Sequence, residues 1–467
     1  MTISIEQALR ASKSSSIAFI GAGGKTTALF QLARELVKHT PVIVTATAHL
    51  GAWQVSLADQ HLIVESPEAL DGLENKLQGV TLITGKFDGD RTKPLDAESL
   101  NWLNQFCKKH AMPLLIEADG SRQKPLKGWA EHEPPIPDFV EQVVTVAGLA
   151  GLGKILNAEN VHRAEIFSKL SGLEVGKIIT PDALARVLTH PNGGQKNIPS
   201  DARKIVLLNQ ADTVELQAMA HGMIDSLLPG FDSVAIASLK QENIFAVHES
   251  VAGVILAAGE SVRFGKPKQL LDWKGEAFVH AVARTALEAG LSPVVVVVGA
   301  NGKEVEAAVA DLNVVIVKND EWKSGQGSSI KAGILFLTQP PPSLPQIRQE
   351  NSGLKTNVSN VVFGGGACIF LLADQPQITT SIIRALIEKH AEGLYPIIAP
   401  MVLDQRANPV LFDRVTFADL LEIQGDVGGR TIFHKHRVEY IPWHDDRMLL
   451  DVDTPEMYQR LITDETL

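Results

Sequence analysis

The chain has 467 residues, 45% hydrophobic and 21% charged, which is ordinary for a globular protein and long enough for two or three domains. Its net charge of −11 disfavours a long polyanion such as DNA as a partner, and two cysteines give neither a disulfide framework nor a cysteine-ligated metal site. The first residues lack the build of a signal peptide and no apolar stretch reaches about 18 residues, so we expect a cytoplasmic protein without a membrane span.

Short apolar runs alternate with helical patterns and predict an α/β fold with two tandem α/β domains, residues 1–245 and 251–467. Each domain opens with an apolar strand that leads into a glycine-rich loop. Runs this apolar are typical of central strands in a parallel sheet covered on both faces. The predicted strands are 17–20, 42–45, 114–116, 143–146 and 205–208 in the first domain, and 254–256, 294–298, 314–317, 369–372 and 397–399 in the second.

The first glycine loop reads IGAGGKTT over residues 20–27 and precedes a predicted helix over 26–39. Gly-Lys-Thr is the phosphate-binding core of a P-loop, in which lysine reaches the β- and γ-phosphates and threonine reaches Mg²⁺. We therefore predict a P-loop-like domain that binds ATP or GTP through Gly21, Gly23, Gly24, Lys25 and Thr26. The full P-loop spacing would require glycine where Phe19 stands, so a simple turn that starts a helix is the alternative.

Polar residues follow three further strands of this domain. Residues 115–121 (LIEADGS) resemble a Walker-B strand end, with Glu117 or Asp119 as the ligand of a metal or a water molecule. Residues 208–212 (LNQAD) are similar to a guanine-reading motif in which Gln210 replaces the lysine, and an ordinary strand end has equal weight. The scattered histidines 49, 132 and 162 suggest hydrogen-bonded structural residues more than a metal cluster.

A set of short segments, taken together, resembles a known family. They are 45–49 (TATAH), 117–121 (EADGS), 124–127 (KPLK), 132–134 (HEP) and 162–163 (HR). Over about residues 10–240 they are similar to the selenium-dependent molybdenum hydroxylase accessory proteins of the YqeC type. The resemblance implies a role in molybdoenzyme maturation, with a molybdenum hydroxylase as client partner.

The second glycine loop, residues 254–268, reads VILAAGESVRFGKPK. Glycine lets the backbone approach a ligand, and arginine and lysine neutralise phosphate charge. We predict that Leu256, Ala257, Ala258 and Gly259 contact a nucleoside triphosphate through their backbone. Arg263 and Lys268 supply the positive charge.

Acidic and small polar residues of the second domain add to this prediction. Asp374 ends an apolar strand, where ligands of open α/β sheets bind, although Asp-Gln-Pro also favours an ordinary turn. Asp451 and Asp453 lie on one side of their segment if it is extended. Residues 324–329 (SGQGSS) predict a loop before a helix that begins near Ile330, with Ser328 and Ser329 available to a base or ribose.

A proline-rich stretch, residues 340–360, predicts an irregular loop between the helix that ends near Leu337 and the strand at Ile369. A lid over the active site is the functional alternative for this segment.

The second domain resembles the MobA-like nucleotidyltransferases, and among them the molybdenum cofactor cytidylyltransferases. The matching segments are 256–265, 268–271, 373–376, 425–430 and 451–455. The resemblance implies a Rossmann-like domain that joins CTP to Mo-molybdopterin, with release of pyrophosphate. It also implies that Arg263 and Lys268 hold the triphosphate and that Asp374 and Asp453 bind Mg²⁺.

Two segments depart from the cytidylyltransferase pattern, namely 324–329 and Asn408–Pro409, and both weaken the substrate assignment more than the reaction. The sequence thus predicts a magnesium-dependent cytidylyltransferase fused to an accessory domain. Transfer to another phosphate acceptor, such as a sugar or alditol phosphate, is one alternative. A carrier or chaperone that binds the cofactor without turnover is the other.

Overall fold

The structure is a computed structural model of the chain that describes residues 2–260, 264, 266–338 and 364–463. The predicted phosphate ligand Arg263 and the predicted loop over 340–360 lie outside these residues. The chain divides into two compact units, Met1–His248 and Glu249–Leu467. This division falls between residues 245 and 251, the ends of the two domains in the sequence prediction. Among the described helices, none is long and apolar enough to cross a lipid bilayer.

The N-terminal unit is mixed α/β and is built on a nine-stranded sheet. Its strands are β1 Ser16–Gly21, β2 Val42–Ala46, β3 Leu50–Gly51, β4 Gln60–Ile63, β5 Val80–Thr84, β6 Phe87–Asp88, β7 Arg91–Thr92, β8 Leu114–Glu117, β9 Leu126–Lys127, β10 Gln142–Gly148, β11 Val161–His162, β12 Arg203–Asn209, β13 Ser233–Ser238 and β14 Asn243–Glu249. Its helices are α1 Ile5–Leu9, α2 Lys25–Leu36, α3 Ala97–His110, α4 Ala164–Ser171, α5 Pro181–Thr189, α6 Val214–His221 and α7 Ile224–Leu227.

The strand order of this sheet is β14-β13-β12-β10-β1-β8-β2-β5-β4. The pairs from β13 to β4 are parallel, and β1, β2 and β8 are buried along their whole length. All five strands predicted for this half are confirmed. Helix α2 ends at Leu36, three residues before the predicted end, because residues 37–40 form a tight turn. Pro41 follows this turn, and a proline disfavours helical backbone at the residue that precedes it.

The C-terminal unit is also mixed α/β and contains an eight-stranded sheet. Its strands are β15 Val251–Ala257, β16 Asp272–Trp273, β17 Glu276–Ala277, β18 Val294–Val298, β19 Val315–Lys318, β20 Ala367–Leu372, β21 Ile397–Val402, β22 Gln405–Arg406, β23 Val410–Asp413 and β24 Val438–Pro442. Its helices are α8 Phe278–Glu288, α9 Gly302–Ala308, α10 Gln326–Thr338, α11 Thr380–Gly393, α12 Phe417–Leu421 and α13 Pro455–Thr463.

Strand β15 lies near the middle of this sheet, in the order β19-β18-β15-β20-β23-β21-β22, with β24 beside β21. It pairs in parallel with β18 and β20, as the apolar runs predict. The expectation of a parallel sheet fails at β23, which is antiparallel to both β20 and β21. The connection from β21 to β23 is too short for the crossover that a parallel pair needs.

Candidate nucleotide sites

The glycine loop between β1 and α2 has no room for side chains. Gly21, Gly23 and Gly24 have φ values of +96°, +84° and +124°, which favour glycine. A Cβ at Gly23 would lie 2.4 Å from the Cα of Gly148. Asn209, predicted as part of a base-reading motif, instead holds the loop by donating its Nδ2 to the Gly23 carbonyl at 2.7 Å.

The Asp119 side chain holds this loop in place through hydrogen bonds. Its carboxylate is fully buried and accepts the Gly21 N–H at 3.1 and 3.0 Å, Lys127 Nζ at 2.9 Å and Trp129 Nε1 at 2.8 Å. Lys25 Nζ lies 3.2 Å from it and donates to the Gly21 carbonyl at 2.7 Å. The prediction of Gly21 as a phosphate contact is therefore not supported, since its N–H is used by Asp119. The Asp119 oxygens are likewise occupied by donors of the protein.

Glu117, at the end of β8, faces the N-terminus of α2. Thr26 Oγ1 donates to Glu117 Oε2 at 2.9 Å, and Gln54 Nε2 donates to Thr26 Oγ1 at 3.2 Å. Burial raises the pKa of Glu117, while the nearby Lys25 ammonium and the Thr26 hydroxyl act to lower it. Gln54 Oε1 is buried and has no hydrogen-bond partner among the described residues. These oxygen atoms are of the kind that Mg²⁺ prefers.

Gln54 is a site residue that the sequence analysis missed. It lies in a short 3₁₀ turn, Ala52–Leu57, and no motif surrounds it. Only the fold brings it to Thr26, 28 positions away in the sequence.

A cavity of about 1130 Å³ opens over the glycine loop. It is lined by Gly23, Gly24, Lys25 and Thr26, by Glu117 at the end of β8, and by side chains from distant loops that include Trp53, Arg91, Arg122, Lys124, Arg163, Gln210 and the three histidines 49, 132 and 162. The described residues contain one group of three potential metal ligands whose atoms lie within 4.8 Å of each other. This group is Glu249, His390 and Asp413, which do not line the cavity. The histidines thus line a cavity without forming such a group.

One wall of the cavity contains a series of charged side chains that pair with one another. Glu133 accepts from Lys127 Nζ at 3.0 Å and from Arg163 Nη2 at 3.0 Å. Burial acts to raise the pKa of Glu133, but the Arg163 hydrogen bonds and the Lys127 charge together lower it to about 2. Burial first, and then the charges of Arg163 and Lys127, lower the pKa of His162 to about 4. The wall therefore carries an ionised carboxylate held between two cations, with a neutral imidazole beside them.

In the C-terminal unit, Lys268 and two carboxylates predicted from the sequence lie together. Lys268 Nζ donates to Asp453 Oδ1 at 2.5 Å and lies 3.9 Å from Asp374 Oδ2. Asp374 follows β20, which pairs directly with β15, the strand that leads into the second glycine loop. Burial is the main cause that raises the pKa of Asp374; Asp451 and Asp453 raise it further, and Lys268 acts to lower it.

Asp451 and Asp453 do not lie in an extended segment, contrary to the expectation. The Asp453 N–H donates to the Asp451 carbonyl at 3.1 Å, which closes a tight turn and sends the two carboxylates to different partners. Asp451 Oδ1 accepts from Gln375 Nε2 at 3.4 Å, whereas Asp453 pairs with Lys268.

The two predicted serines are buried inside the unit, within the first turn of α10 and not in a loop. Asn319 Nδ2 donates to Ser328 Oγ at 2.8 Å and to Ser329 Oγ at 3.0 Å. The helix begins at Gln326, four residues before the predicted start, because Gly327 lets its first turn pack against Gly425. The serine hydroxyls are therefore engaged by the protein.

The backbone of the second glycine loop is held on both sides. The Ala258 carbonyl accepts the Ala300 N–H at 3.3 Å, and the Gly259 carbonyl accepts Gln269 Nε2 at 3.1 Å, while Ala257 is buried. Leu256 lines a neighbouring cavity of about 380 Å³. Asp451, Arg406 and Arg430 also line that cavity. Gln326 and Asn408 line it too, so both segments that depart from the family pattern lie beside it.

Substitution Asp119→Asn tests the role of Asp119 in the first loop. It removes a buried charge, leaves Lys25 without its ion-pair partner and leaves Lys127 paired with Glu133 alone, so we expect a loss of about 3–5 kcal/mol in the free energy of unfolding. Urea denaturation followed by circular dichroism measures it. Asp90→Asn, at a side chain that is 96% exposed, is the matched control and should change little. Equal effects of the two substitutions would contradict the assignment.

Substitution Asp374→Asn tests the strain at the second site. Because the pKa of Asp374 is higher in the folded chain, its ionised form opposes folding. This cost is fully present at pH 8, begins to shrink as the pH falls through the raised pKa, and vanishes below the ordinary pKa of an aspartate. Asp374→Asn should therefore raise the free energy of unfolding at pH 8, with a gain that shrinks as the pH falls. The exposed Asp320→Asn is the control and should change the free energy of unfolding little. Destabilisation by Asp374→Asn at pH 8 would be the contrary result.

The two halves match different protein families. The YqeC protein family model matches residues 17–165, and the MobA-like NTP transferase domain model matches residues 253–440. The uncharacterized protein YqeC of Escherichia coli (strain K12) is 32% identical over 204 residues, which cover 43% of this chain and 77% of that protein.

The C-terminal half is similar to proteins with different names. The nicotine blue oxidoreductase of Paenarthrobacter nicotinovorans is 30% identical over 221 residues, 45% of this chain and 96% of that protein. The molybdenum cofactor cytidylyltransferase of Escherichia coli (strain K12) is 22% identical over 204 residues, 44% of this chain and 91% of that protein. The chain belongs to the YqeC family through its N-terminal half and to the MobA-like NTP transferase family through its C-terminal half.

Proposed function

We propose that the C-terminal unit is a magnesium-dependent cytidylyltransferase that joins CTP to Mo-molybdopterin. The observation that carries this proposal is the convergence of Lys268, Asp374 and Asp453 at the end of the strand pair β15–β20. The resemblance of the sequence to molybdenum cofactor cytidylyltransferases supports the choice of substrates, and a relative of that name covers the same half.

The two carboxylates fit a magnesium ion. Mg²⁺ is usually held by one or two carboxylates together with phosphate oxygens of a substrate. Asp374 and Asp453 are both close to Lys268 Nζ, so their oxygens face the same small volume. The bound ion would withdraw charge from the triphosphate.

The reaction is a displacement at the α-phosphorus of CTP. An oxygen of the terminal molybdopterin phosphate forms a bond to the α-phosphorus, and the bond from that phosphorus to the β-phosphate oxygen breaks, which releases pyrophosphate. The nucleophile is already anionic, so no strong general base is needed. The task of the protein is to align two polyanions and to offset their repulsion.

The described residues around the site divide that task. Lys268 neutralises the triphosphate, and the backbone from Leu256 to Gly259 supports it. Ser328 and Ser329, held by Asn319, shape the side of the site on which the base and ribose lie. Arg406 and Arg430 line the adjacent cavity and provide positive charge for an anionic acceptor.

The 30% identical relative named an oxidoreductase favours a second candidate, an oxidoreductase that uses a bound nucleotide. A redox reaction would consume NAD(P)H and release no pyrophosphate. The acidic residues beside Lys268 favour nucleotidyl transfer, because a dinucleotide that donates hydride needs no metal at its phosphates.

For the N-terminal unit we propose a nucleotide site for ATP or GTP, in an accessory role toward a molybdenum hydroxylase client. The start of α2, where Gly24, Lys25 and Thr26 line the cavity, supports phosphate binding. Thr26 and Glu117 are the residues that would hold Mg²⁺, which would offset the charge of the phosphates.

Pyrophosphate release tests the C-terminal assignment. The purified chain is incubated with Mo-molybdopterin and each of the four ribonucleoside triphosphates, and CTP should give the fastest release. Lys268→Met and Asp374→Asn should each lower the rate on the order of a hundredfold or more, because each removes a charge contact in the site. Lys303→Gln, an exposed lysine of α9, should have the wild-type rate. Release driven by a sugar phosphate, consumption of NAD(P)H, or an unchanged rate in Asp374→Asn would contradict the proposal.

Nucleotide titration tests the N-terminal site. Thr26→Ala should weaken binding of ATP or GTP on the order of tenfold when Mg²⁺ is present and much less when it is absent, since the hydroxyl contacts the metal. Calorimetry on the full chain in a Lys268→Met background, which weakens the other site, makes the measurement. Thr40→Ala lies outside the cavity and is the control. The same loss with and without Mg²⁺ would disagree with a metal contact.

A further inference from the structure

We propose that the N-terminal cavity binds a second ligand beside the nucleotide, a small molecule with a phosphate monoester whose phosphate is held by Arg122 and Lys124. The inference rests on the proposed nucleotide site in the same cavity. The inference assigns a class of ligand to the N-terminal unit, for which an accessory role is proposed above.

The cavity is large enough for two ligands. Its volume is about 1130 Å³. Pockets for one drug-sized ligand usually measure about 300–1,000 Å³. A nucleotide on the glycine loop would therefore leave room along the wall that Arg122, Lys124 and Arg163 form.

A short turn, residues 121–124, attaches this second region to the phosphate loop. The Gly23 N–H donates to the Lys124 carbonyl at 3.1 Å, and the Lys124 N–H donates to the Ser121 carbonyl at 3.0 Å. Arg122 and Lys124 both line the cavity. A ligand phosphate bound to them would thus lie next to the phosphates of the nucleotide.

The turn adopts backbone conformations that are unfavourable for its residues. Arg122 and Gln123 have φ values of +49° and +60°, and neither is a glycine. Arg163 and Gln210, which line the same cavity, have φ values of +61° and +64°. Such conformations cost about 1–3 kcal/mol each and cluster at ligand sites. The fold therefore keeps four strained residues around one cavity.

Arg122 and Lys124 differ from the other cations of the cavity in having no protein counter-ion. Lys25 pairs with Asp119, and Arg163 pairs with Glu133. Among the described residues, the side chains of Arg122 and Lys124 make no hydrogen bond or ion pair. The charge of Arg122 also acts on His162, which remains neutral at physiological pH because its pKa is lowered, mainly by burial.

Two acceptor atoms of the cavity also have no protein partner. Gln54 is only 7% exposed, and its Oε1 has no hydrogen-bond partner among the described residues; the same is true of Gln210 Oε1. Buried polar atoms are rarely left without a partner. Two residues that line the cavity thus keep buried acceptor atoms that the protein leaves unsatisfied.

The pairing of arginine with lysine indicates a phosphate monoester. Such a group carries nearly two negative charges at neutral pH, and its oxygens match the planar fork of an arginine. The triphosphate of the nucleotide would lie at the start of α2, where Gly24, Lys25 and Thr26 line the cavity. Two further cations beside it therefore favour a separate anion.

Calorimetry with phenyl phosphate tests the inference. The full chain is first titrated with ATP and GTP, then saturated with Mg²⁺ and a non-hydrolysable analogue of whichever nucleotide binds, and phenyl phosphate is titrated last. We expect the Arg122→Gln/Lys124→Gln double variant to bind phenyl phosphate on the order of tenfold more weakly at one site. Lys154→Gln, an exposed lysine of the same unit, should match the wild type.

The outcomes separate the two proposals. If neither ATP nor GTP binds, the proposed nucleotide site fails. If a nucleotide binds but phenyl phosphate binds the wild type and the double variant equally or not at all, the second site alone is refuted. If the double variant loses nucleotide affinity as strongly as phenyl phosphate affinity, the two cations bind the nucleotide itself, and the inference is also overturned.

Discussion

In each unit, the strand that leads into the glycine loop pairs in parallel with a neighbouring strand, and this pairing places an acidic residue beside the loop. In the N-terminal unit β1 leads into the loop, and its neighbour β8 ends at Glu117. In the C-terminal unit β15 leads into the loop, and Asp374 follows its neighbour β20. Because parallel strands end at the same edge of the sheet, the carboxylate and the loop must meet there. Both candidate sites depend on this constraint.

The two sites balance their charges in different ways. In the N-terminal unit, Asp119 is enclosed by Lys25, Lys127 and hydrogen-bond donors, so the charges stabilise the loop itself. In the C-terminal unit, Lys268 is shared by two carboxylates that are partly exposed, and Asp374 keeps a raised pKa. A buried and fully paired charge is suited to structure, whereas a partly exposed and incompletely balanced one is suited to binding a charged ligand.

The sequence predicted the parts of both sites that depend on local pattern. Apolar runs identified the central strands, and strand ends identified Asp374, because both signals lie within a few residues. The pattern could not separate Glu117 from Asp119, since which of them is occupied by donors of the loop and of Lys127 and Trp129 depends on side-chain packing. Gln54 and Arg163 reach the first cavity from distant loops, and β23 joins the second sheet by a short antiparallel return. These features arise from tertiary contacts for which a single sequence carries no local signal.

The most direct test of the account is the position of a metal ion in crystals of the full chain grown with Mn²⁺ and a non-hydrolysable CTP analogue. Anomalous diffraction locates Mn²⁺ without reference to the protein. The account predicts a peak within coordination distance of the Asp374 and Asp453 carboxylates, with the triphosphate beside Lys268. A manganese peak away from both carboxylates, or a triphosphate bound elsewhere in the unit, would contradict it.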